Sequence, residues 1–521
     1  MARRSRISTA GSSEVDLDSS AFKDVPDLDA SFEQTPFRTE DCLKLQVMAE
    51  YLPNPLIDSD VEANTTEKRI CIIGGGANGL ATLKILAETP QVQSGQWKLI
   101  AFEERDNIGG IWLPAAPEGN PPSTPLYDSL TTNLPHLIMG YPSFPFPPET
   151  SLFPSSATVE KYLQDYATHF DLLHYIRLNT RVEETRWNIS EQVWKVKLSS
   201  GELLDFDFVI AANGHYRLPR YPDTPGVNKW LDSGRAMHSA WYRRPQDIAH
   251  HQKVVVVGGG PSAIDISTDM RNVGTVLHSV PGEAYLEYYA YPPDADDYKK
   301  KVKIAEYKDN GDVLFEDGTT ESNVDFAILA TGYQFSFPFL PHQIHALPDP
   351  PPPLPTHLHN SSYHLFPLAR HLFPLQADFP AHTMAHAQLP RVLADPSALD
   401  VPAEAVSVIE RFQQLASEEG TDDPLRIAKA WLRFAPDEPF KYRAELNAFA
   451  KPGTEWRAPE WEIEFWDKRD TLRKEWKQAV KDGEGEELVK GVGKGGVEEW
   501  VDLCKKMLRR HEEREAQQAK L

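Results

Sequence analysis

The sequence predicts an α/β fold built from two similar units, each organised around a parallel sheet. Two apolar runs, at residues 70–73 and 254–257, pass directly into glycine-rich turns and then into helical patterns. Uninterrupted apolar runs of this length are typical of parallel strands that are buried on both faces. After Pro402 the pattern becomes helical and charged, which predicts additional helices toward the carboxyl-terminal end of the chain.

Length and composition indicate a globular protein with several units. A chain of 521 residues exceeds what one ordinary core fills, so two or three packed units are expected. Hydrophobic residues make up 40% of the chain and charged residues 25%, the balance of a globular protein and not of a disordered one. The formal net charge of -23 argues against a nucleic-acid partner, because phosphates attract basic surfaces.

Cysteine usage and hydropathy argue against several further classes. The three cysteines, Cys42, Cys71 and Cys504, lie far apart and lack metal-ligand spacing, so we expect no disulfide framework and no metal site. The basic start of the chain leads into polar residues instead of the apolar stretch of a secretory signal. Since no apolar run has the length of a transmembrane helix, we expect a cytoplasmic protein without a transmembrane segment.

The first glycine turn has the residues that pyrophosphate binding requires. It reads Gly-Gly-Gly-Ala-Asn-Gly, between the apolar run and a helical pattern. Gly74 permits the tight turn, Gly76 lets the backbone approach the phosphates, and Gly79 lets the helix pack closely on the strand. Ala77 and Asn78 then stand at the start of the helix, where its positive end would face the phosphates. The turn therefore predicts a dinucleotide site.

A carboxylate follows the next predicted strand. The predicted strand at residues 97–102 ends in Glu103, 24 residues after Gly79 (103 − 79), close to the ~20 expected for the acid that binds a ribose. Glu104 is a second candidate for this role. The alternative interpretation of Glu103 is an ordinary exposed acid at a strand end.

The second glycine turn repeats the first. Residues 258–263 read Gly-Gly-Gly-Pro-Ser-Ala, so that Gly258 and Gly260 take the first two glycine roles and Ala263 replaces the third. Two such units in one chain are far more specific than one. Taken alone, Asp265 reads as an acid in the first turn of a helix, where the helix dipole stabilises it.

Several segments around the first unit resemble those of the flavin-containing monooxygenases, a family of class B flavoprotein monooxygenases. Residues 103–112 end in a Gly-Gly-x-Trp turn that lies against FAD in that family, and residues 127–133 and 141–147 resemble its Thr-Asn and Phe-Pro-rich segments. The resemblance implies that Asn133 lies beside the flavin as the catalytic residue. It also implies FAD contacts from Gly110, Ile111, Trp112, Thr132 and Val182.

The resemblance continues through the second unit. Residues 264–266, Ile-Asp-Ile, match the family's Ser-Gly-x-Asp-Ile pattern, with Ala263 in place of its Gly, which implies that Ser262 and Asp265 contact the nicotinamide cofactor. Residues 330–333 reproduce its Ala-Thr-Gly-Tyr motif, which adds Thr331 and Gly332 to the cofactor contacts. Residues 234–242 resemble the FxGxxxHxxx(Y/F) signature without its leading Phe, and in it we assign His238 a domain-linking role.

This organisation predicts two Rossmann-like, three-layer ββα dinucleotide-binding domains, with the nicotinamide domain inserted in a discontinuous FAD domain, plus C-terminal helices. A polar extension occupies residues 1–66, and the two parts of the FAD-binding domain occupy 67–218 and 325–400. The NADP-binding domain occupies 219–324, and a helical region occupies 401–521.

The resemblance implies an FAD- and NADPH-dependent monooxygenase. Reduced nicotinamide would pass a hydride to FAD, and the flavin C4a-hydroperoxide formed with O2 would transfer one oxygen atom to a nucleophilic nitrogen or sulfur. The implied partners are O2 and a small-molecule amine or sulfide. The cofactor carries the difficult chemistry, while the protein orients the nicotinamide and excludes water.

One departure from the family concerns the nicotinamide phosphate. The family often supplies a Ser-x-Arg after the second strand of this domain, whereas here Ser279 runs into Val-Pro-Gly-Glu. The preference for NADPH over NADH is therefore implied only by the resemblance to the family and not by residues at the expected position. Arg243, Arg244 and Arg271 are the candidates for supplying the positive charge from elsewhere.

A second departure follows Ala385. There the family continues into a segment that encloses the flavin, and this chain lacks a dozen or more of those residues. Two alternatives within enzymes are a Baeyer–Villiger monooxygenase and another FAD/NAD(P)H oxidoreductase. Tyr242 argues against the first, since Baeyer–Villiger enzymes have Trp at this position. The alternative of another class is a non-catalytic dinucleotide-binding protein that lacks the flavin-enclosing segment.

Overall fold

A computed structural model describes the parts of the chain on which the fold and the site are built. The predicted extension at residues 1–66 and the predicted gap after Ala385 lie outside the described residues. The described residues are 67–280, 282, 291–340, 368–369, 373–374, 381–383, 389–431, 435, 437–453 and 455–518.

The β-strands of the described residues follow the periodicity of the sequence most closely in the two apolar runs. In chain order the strands are β1 Lys68–Ile73, β2 Trp97–Phe102, β3 Ile176–Arg177, β4 Val182–Asn188, β5 Val193–Leu198, β6 Leu203–Phe206, β7 Phe208–Ala211, β8 Leu218–Pro219, β9 Ala236–His238, β10 Lys253–Val257, β11 Thr275–Ser279, β12 Tyr298–Lys301, β13 Ile304–Tyr307, β14 Val313–Phe315, β15 Thr320–Glu321, β16 Phe326–Leu329, β17 Tyr333–Gln334, β18 Leu368–Ala369, β19 Phe373–Pro374 and β20 Ala381–Thr383.

The α-helices of the described residues concentrate after residue 389. In chain order they are α1 Ala77–Ala87, α2 Pro90–Gln93, α3 His136–Met139, α4 Ser156–His169, α5 Val227–Asp232, α6 Pro261–Met270, α7 Leu389–Ala394, α8 Val401–Glu419, α9 Pro424–Ala430, α10 Glu438–Ala450, α11 Glu460–Asp467, α12 Arg469–Lys481, α13 Gly485–Val489 and α14 Val497–Gln518.

The first sheet is parallel, with strand order β20-β7-β1-β2-β3. Its central strand is buried on both faces, as its apolar run predicts. Ile70 and Ile72 pack against the helices α1, α4 and α8 on one side. Cys71 and Ile73 pack on the other side against the antiparallel sheet β4-β5-β6. Alternating side chains of one strand thus support both outer layers, which gives the three-layer ββα arrangement.

The second sheet is also parallel, with strand order β12-β11-β10-β16-β9. Helix α6 covers one face, and helix α5 with the antiparallel sheet β13-β14-β15 covers the other. The structure corrects the predicted boundary between residues 324 and 325, because β16 belongs to this second sheet. The apolar run of β16 pairs with β10 and leaves this sheet only at its end, where the chain turns at Gly332.

Two chain crossings connect the sheets. The strand β8 enters the second unit, β17 leaves it, and the two pair in antiparallel register. The C-terminal helices pack in two places: α8 lies on the first sheet, whereas α12 and α14 form a separate core with Leu152 and Phe153. Within the described ranges, no helix combines the length and apolar character needed to cross a membrane.

Candidate functional site

The first glycine turn joins β1 to α1 and has no space for side chains. Gly74 has a φ of +111°, and a β-carbon there would lie 2.6 Å from the carbonyl oxygen of Ala212. A β-carbon on Gly79 would lie 1.9 Å from the carbonyl oxygen of Gly74. Since Gly76 is the N-cap of α1, the exposed amide groups of the helix start lie directly beside this turn. A helix start with free amide groups is suited to bind phosphate groups.

A second backbone turn lies against the first. Gly110, at the start of the 110–112 turn, has a φ of +57°, and a β-carbon there would lie 2.9 Å from the Cα of Gly76. The guanidinium of Arg105 donates to the carbonyl oxygens of Gly110 at 3.1 Å and Leu113 at 2.7 Å. Sequence reasoning missed Arg105, whose only signal is its position two residues after Glu103. Its role is to hold the second turn in place.

Glu103 lies at the carboxyl edge of the first sheet, directly after β2. Its Oε2 accepts a hydrogen bond from the Gly75 N–H at 2.6 Å, and its Oε1 accepts one from the Arg105 N–H at 2.9 Å. The side chain is 5% exposed, so the alternative of an ordinary exposed acid is wrong. Burial raises the pKa of this carboxyl. Because each carboxylate oxygen has two lone pairs, both oxygens retain capacity for a ribose hydroxyl. Glu104 instead pairs with Arg217.

The residues predicted to line the flavin occupy different environments. Thr132 is buried, and its hydroxyl donates to the carbonyl oxygen of Leu134 at 2.8 Å. This bond fixes the turn that presents Asn133, which is exposed. Val182 begins β4, and its side chain is buried in the core beneath the first sheet. Ile111 and Trp112 lie in the short helix that starts at Gly110, and both are half-buried.

The second glycine turn repeats the geometry of the first with looser helix packing. Gly258 has a φ of +137°, and a β-carbon there would lie 2.2 Å from the carbonyl oxygen of Ala330. Gly260 is the N-cap of α6, and Ser262 lies in the first turn of that helix. Ala263 is fully buried, and its own β-carbon fits beneath the turn. The second unit therefore also presents a helix start and bare backbone at the carboxyl edge of its sheet.

His278 supports the second turn from below, and sequence reasoning missed this role. Its Nε2 donates to the carbonyl oxygen of Gly258 at 2.8 Å, and its Nδ1 accepts from the hydroxyl of Tyr298 at 2.8 Å. A carbonyl oxygen only accepts, so Nε2 carries a ring proton. Burial lowers the pKa of His278 to about 4.

Asp265 of α6 lies in a network of hydrogen bonds and ion pairs. Its carboxylate accepts hydrogen bonds from Tyr127 at 3.0 Å and from Arg473 at 3.1 Å, and it pairs with Lys477 at 3.4 Å. Arg473 and Lys477 belong to α12, so Asp265 joins α6 to a C-terminal helix. Its contact with the nicotinamide cofactor stays a prediction. A cleft of about 270 Å³ lies beside this network, with Trp476 in its wall.

The Ala-Thr-Gly-Tyr motif lies where the chain leaves the second unit. The hydroxyl of Thr331 donates to the carbonyl oxygen of Arg220, on the incoming crossing, at 2.5 Å. His238 of β9 donates from Nε2 to the carbonyl oxygen of Gly332 at 3.0 Å, while its Nδ1 accepts from the Ala240 N–H. Burial lowers the pKa of His238 to about 4. His238 thus ties the second sheet to the crossing in its neutral form.

The three candidate arginines are all held within the chain. Arg243 donates to backbone carbonyl oxygens, including that of Thr124 at 2.9 Å. Arg244 pairs with Asp247 at 2.9 Å, and Arg271 binds Asp297 through two hydrogen bonds of 2.8 Å.

Comparison with known families decides the assignment. The family model described as "FMO-like: Flavin-binding monooxygenase-like" matches residues 67–285 and 297–350, which is more than half of the chain. The chain belongs to this family. The match includes both glycine turns and both crossings of this flavin-binding monooxygenase-like protein.

Individual relatives agree with the family match. The chain is similar to a thiol-specific monooxygenase of Saccharomyces cerevisiae, 31% identical over 53% of this chain and 62% of the relative. It is also similar to a senecionine N-oxygenase of Tyria jacobaeae, 29% identical over 55% of this chain and 62% of the relative. The chain thus spans about three fifths of the length of these relatives.

A solved structure supports the fold. The S-allyl-L-cysteine S-oxygenase from Allium sativum superposes with a TM-score of 0.66 and 23% sequence identity, covering 85% of this chain and 99% of that one.

In the flavin-binding monooxygenase-like chain, Tyr242 lies at the end of the signature segment and is 1% exposed. Its ring packs edge-on against Tyr127 with the centroids 6.0 Å apart, which gives it a place in the core of the second unit.

Proposed function

We propose that this chain is an FAD- and NADPH-dependent monooxygenase that transfers one atom of O2 to a nucleophilic nitrogen or sulfur of a small molecule. One observation carries the proposal. Two glycine turns, each at the carboxyl edge of a parallel sheet, occur in one chain of the flavin-binding monooxygenase-like family. Such edges are where dinucleotides bind in open α/β sheets.

The first unit fits FAD. Its two facing turns are bare of side chains, because a β-carbon on Gly74, Gly79 or Gly110 would collide with backbone atoms. A pyrophosphate bound there would meet the amide groups at the start of α1. Glu103 lies at the neighbouring strand end and suits the ribose of the adenosine half. We assign the FAD contacts to this set together with Thr132, Asn133 and the backbone beside Val182.

The second unit fits NADPH through Gly258, Gly260 and Ser262 at the start of α6. The neutral ring of His278 keeps the carbonyl oxygen of Gly258 turned inward, and so the turn faces the ligand with its amide groups. His238 and Thr331 connect the second sheet and the two crossings through hydrogen bonds to Gly332 and Arg220. We do not assign a cofactor contact to the side chain of Asp265.

Catalysis by this chain is mainly positioning. Bound FAD, reduced by NADPH, would supply the redox chemistry that activates O2. The protein contributes an exposed amide at Asn133, whose NH2 donates and whose oxygen accepts hydrogen bonds. The bond of Thr132 to Leu134 fixes the backbone that carries this amide. A preorganised donor is effective because it needs no rearrangement during the reaction.

The two relatives named for thiol and nitrogen oxygenation support substrates with a nucleophilic sulfur or nitrogen. The test is to purify the chain, record its flavin absorbance, and add NADPH with a thioether or a tertiary amine under ¹⁸O2. We expect one labelled oxygen atom in the product. A ketone converted to a labelled ester would favour Baeyer–Villiger chemistry. Flavin that binds and is never reduced by NADPH would contradict the proposal and favour the non-catalytic alternative.

Asn133 has a matched control in the same assay. We expect Asn133→Ala to retain FAD and lower the rate of product formation about 100-fold, in line with the loss of one positioned donor. Asn310→Ala removes another exposed amide, in the β13–β14 hairpin, and should leave the rate unchanged. Equal rates for the two variants would remove Asn133 from the catalytic role.

A further inference from the structure

The two sheets can be aligned residue by residue at their glycine turns. In the first unit, the Gly74 N–H donates to the carbonyl oxygen of Phe102 at 2.9 Å, and Glu103 follows. In the second unit, the Gly258 N–H donates to the carbonyl oxygen of Ser279 at 2.9 Å. The residue that follows Ser279 is Val280, so Val280 is the counterpart of Glu103.

This replacement changes which ribose the second unit accepts. A carboxylate suits a free ribose 2′-hydroxyl and repels a 2′-phosphate. Val280 is apolar and 3% exposed, so it offers no hydrogen-bond acceptor to a ribose and no charge to oppose a phosphate. Recognition of the phosphate then requires a cation from another element. Arg271 is unsuited, since it lies before the amino-terminal end of β11, away from the glycine turn, where it binds Asp297.

The neighbouring edge strand supplies lysines. β12 is parallel to β11 and carries the run Lys299, Lys300 and Lys301. Lys301 is turned to one face, where its ammonium pairs with Glu321 at 2.6 Å. Because side chains alternate along a strand, Lys300 is on the opposite face, and it is exposed. Its backbone is level with His278 in the register of the two strands.

A continuous set of contacts links Lys300 to the second glycine turn. The Lys300 ammonium lies 5.7 Å from the ring centroid of Tyr291. The Tyr291 ring packs edge-on against the His278 ring, with centroids 5.3 Å apart. His278 in turn donates to the carbonyl oxygen of Gly258. The lysine therefore lies on the same face of the sheet as His278, whose ring contacts the turn.

Tyr291 adds an independent observation. Its hydroxyl oxygen is buried and makes no hydrogen bond within the part of the chain that the structure describes. Buried hydroxyl groups nearly always have a partner, so an unmatched one beside an exposed ammonium points to an acceptor that arrives with a ligand. A phosphate offers acceptor oxygens to both groups.

We propose that Lys300 and Tyr291 recognise the 2′-phosphate of NADPH at the edge strand of the second sheet. The adenosine half of a dinucleotide held at residues 258–260 extends over the end of β11 toward β12, which brings its ribose to these side chains. The inference rests on the function proposed above for NADPH. It assigns the discrimination between NADPH and NADH to a strand that lies outside the glycine motif.

The test is calorimetric binding of 2′,5′-ADP and 5′-AMP to the full chain, which requires no turnover. We expect Lys300→Ala to weaken 2′,5′-ADP binding at least 10-fold and to leave 5′-AMP binding unchanged, because a charged hydrogen bond to the phosphate is lost. Lys299→Ala is the matched control: it removes the adjacent lysine on the other face and should alter neither affinity. Tyr291→Phe should weaken only 2′,5′-ADP binding. Lys300→Arg keeps the positive charge, so it should bind 2′,5′-ADP more tightly than Lys300→Ala does.

Two results would overturn the inference. One is equal affinity of the wild type and Lys300→Ala for 2′,5′-ADP, and the other is an equal loss in Lys299→Ala. Failure of the proposed function is distinguishable, because a chain that binds 2′,5′-ADP through Lys300 and forms no oxygenated product retains this subsite. Since Lys300 is exposed, the variant should unfold at the wild-type urea concentration, and this confirms that any loss is local.

Discussion

Replacement of Gly79 by alanine tests how tightly the first unit is built. A β-carbon at Gly79 would lie 1.9 Å from the carbonyl oxygen of Gly74 and 3.0 Å from its carbonyl carbon. Non-bonded heavy atoms prefer about 3.5 Å or more, so α1 must retreat from β1 by more than about 1 Å. Overpacking of this kind costs about 1–3 kcal/mol, and the helix start moves away from the pyrophosphate site. We therefore expect both a lower free energy of unfolding and loss of FAD.

The second unit provides an internal control for this substitution. Ala263 takes the equivalent position in α6 and is fully buried without a clash. Ala263→Gly removes a methyl group from a helix and should cost about 1 kcal/mol of unfolding free energy. Because α6 does not bind FAD in our assignment, the FAD content of this variant should equal that of the wild type.

The assay combines the ratio of flavin to protein absorbance after purification with urea unfolding followed by tryptophan fluorescence. For Gly79→Ala we expect substoichiometric FAD and a lower unfolding midpoint, with the far-UV circular dichroism of a folded protein. Wild-type FAD content together with wild-type stability would refute the packing argument. A loss of FAD in Ala263→Gly equal to that in Gly79→Ala would refute the assignment of the two units.

Two further predictions concern the groups that hold the second unit. His238 and His278 each have a pKa of about 4 against an ordinary value of 6.5, so the unfolded state binds their protons first on acidification. The contribution of each ring to the free energy of unfolding should be constant above pH 6.5 and fall by about 3 kcal/mol from pH 6.5 to 4. In urea unfolding at several pH values, His278→Gln should therefore show a smaller loss of stability toward pH 4 than the wild type. Asp265→Asn breaks a buried ion pair and should lower the unfolding free energy by about 3 kcal/mol with NADPH affinity unchanged, whereas the exposed control Asp296→Asn should be neutral. Weaker NADPH binding at unchanged stability would return Asp265 to the cofactor site.

The two strand–turn–helix units could be predicted from the sequence alone. Each is a short stretch in which the turn demands glycine for local reasons, as the positive φ of Gly74 and Gly258 illustrates. The position of Glu103 also follows from local order, because the strand that carries it pairs directly with β1. Strand burial and turn conformation depend on neighbours within one supersecondary unit, so both can be predicted from the local sequence.

Contacts between side chains that are far apart in the sequence depend on tertiary packing. Nothing in the sequence indicated that Asp265 bonds to Arg473 of α12, which follows it by 208 residues. His278 and Lys300 carry no signal as single residues, since their roles depend on which face of a strand they occupy and on the turn beside it. The physical reason is that hydrophobic periodicity specifies only the buried face of an element. The partner of a polar group is selected when separately formed elements pack, and the pattern of one segment does not encode that choice.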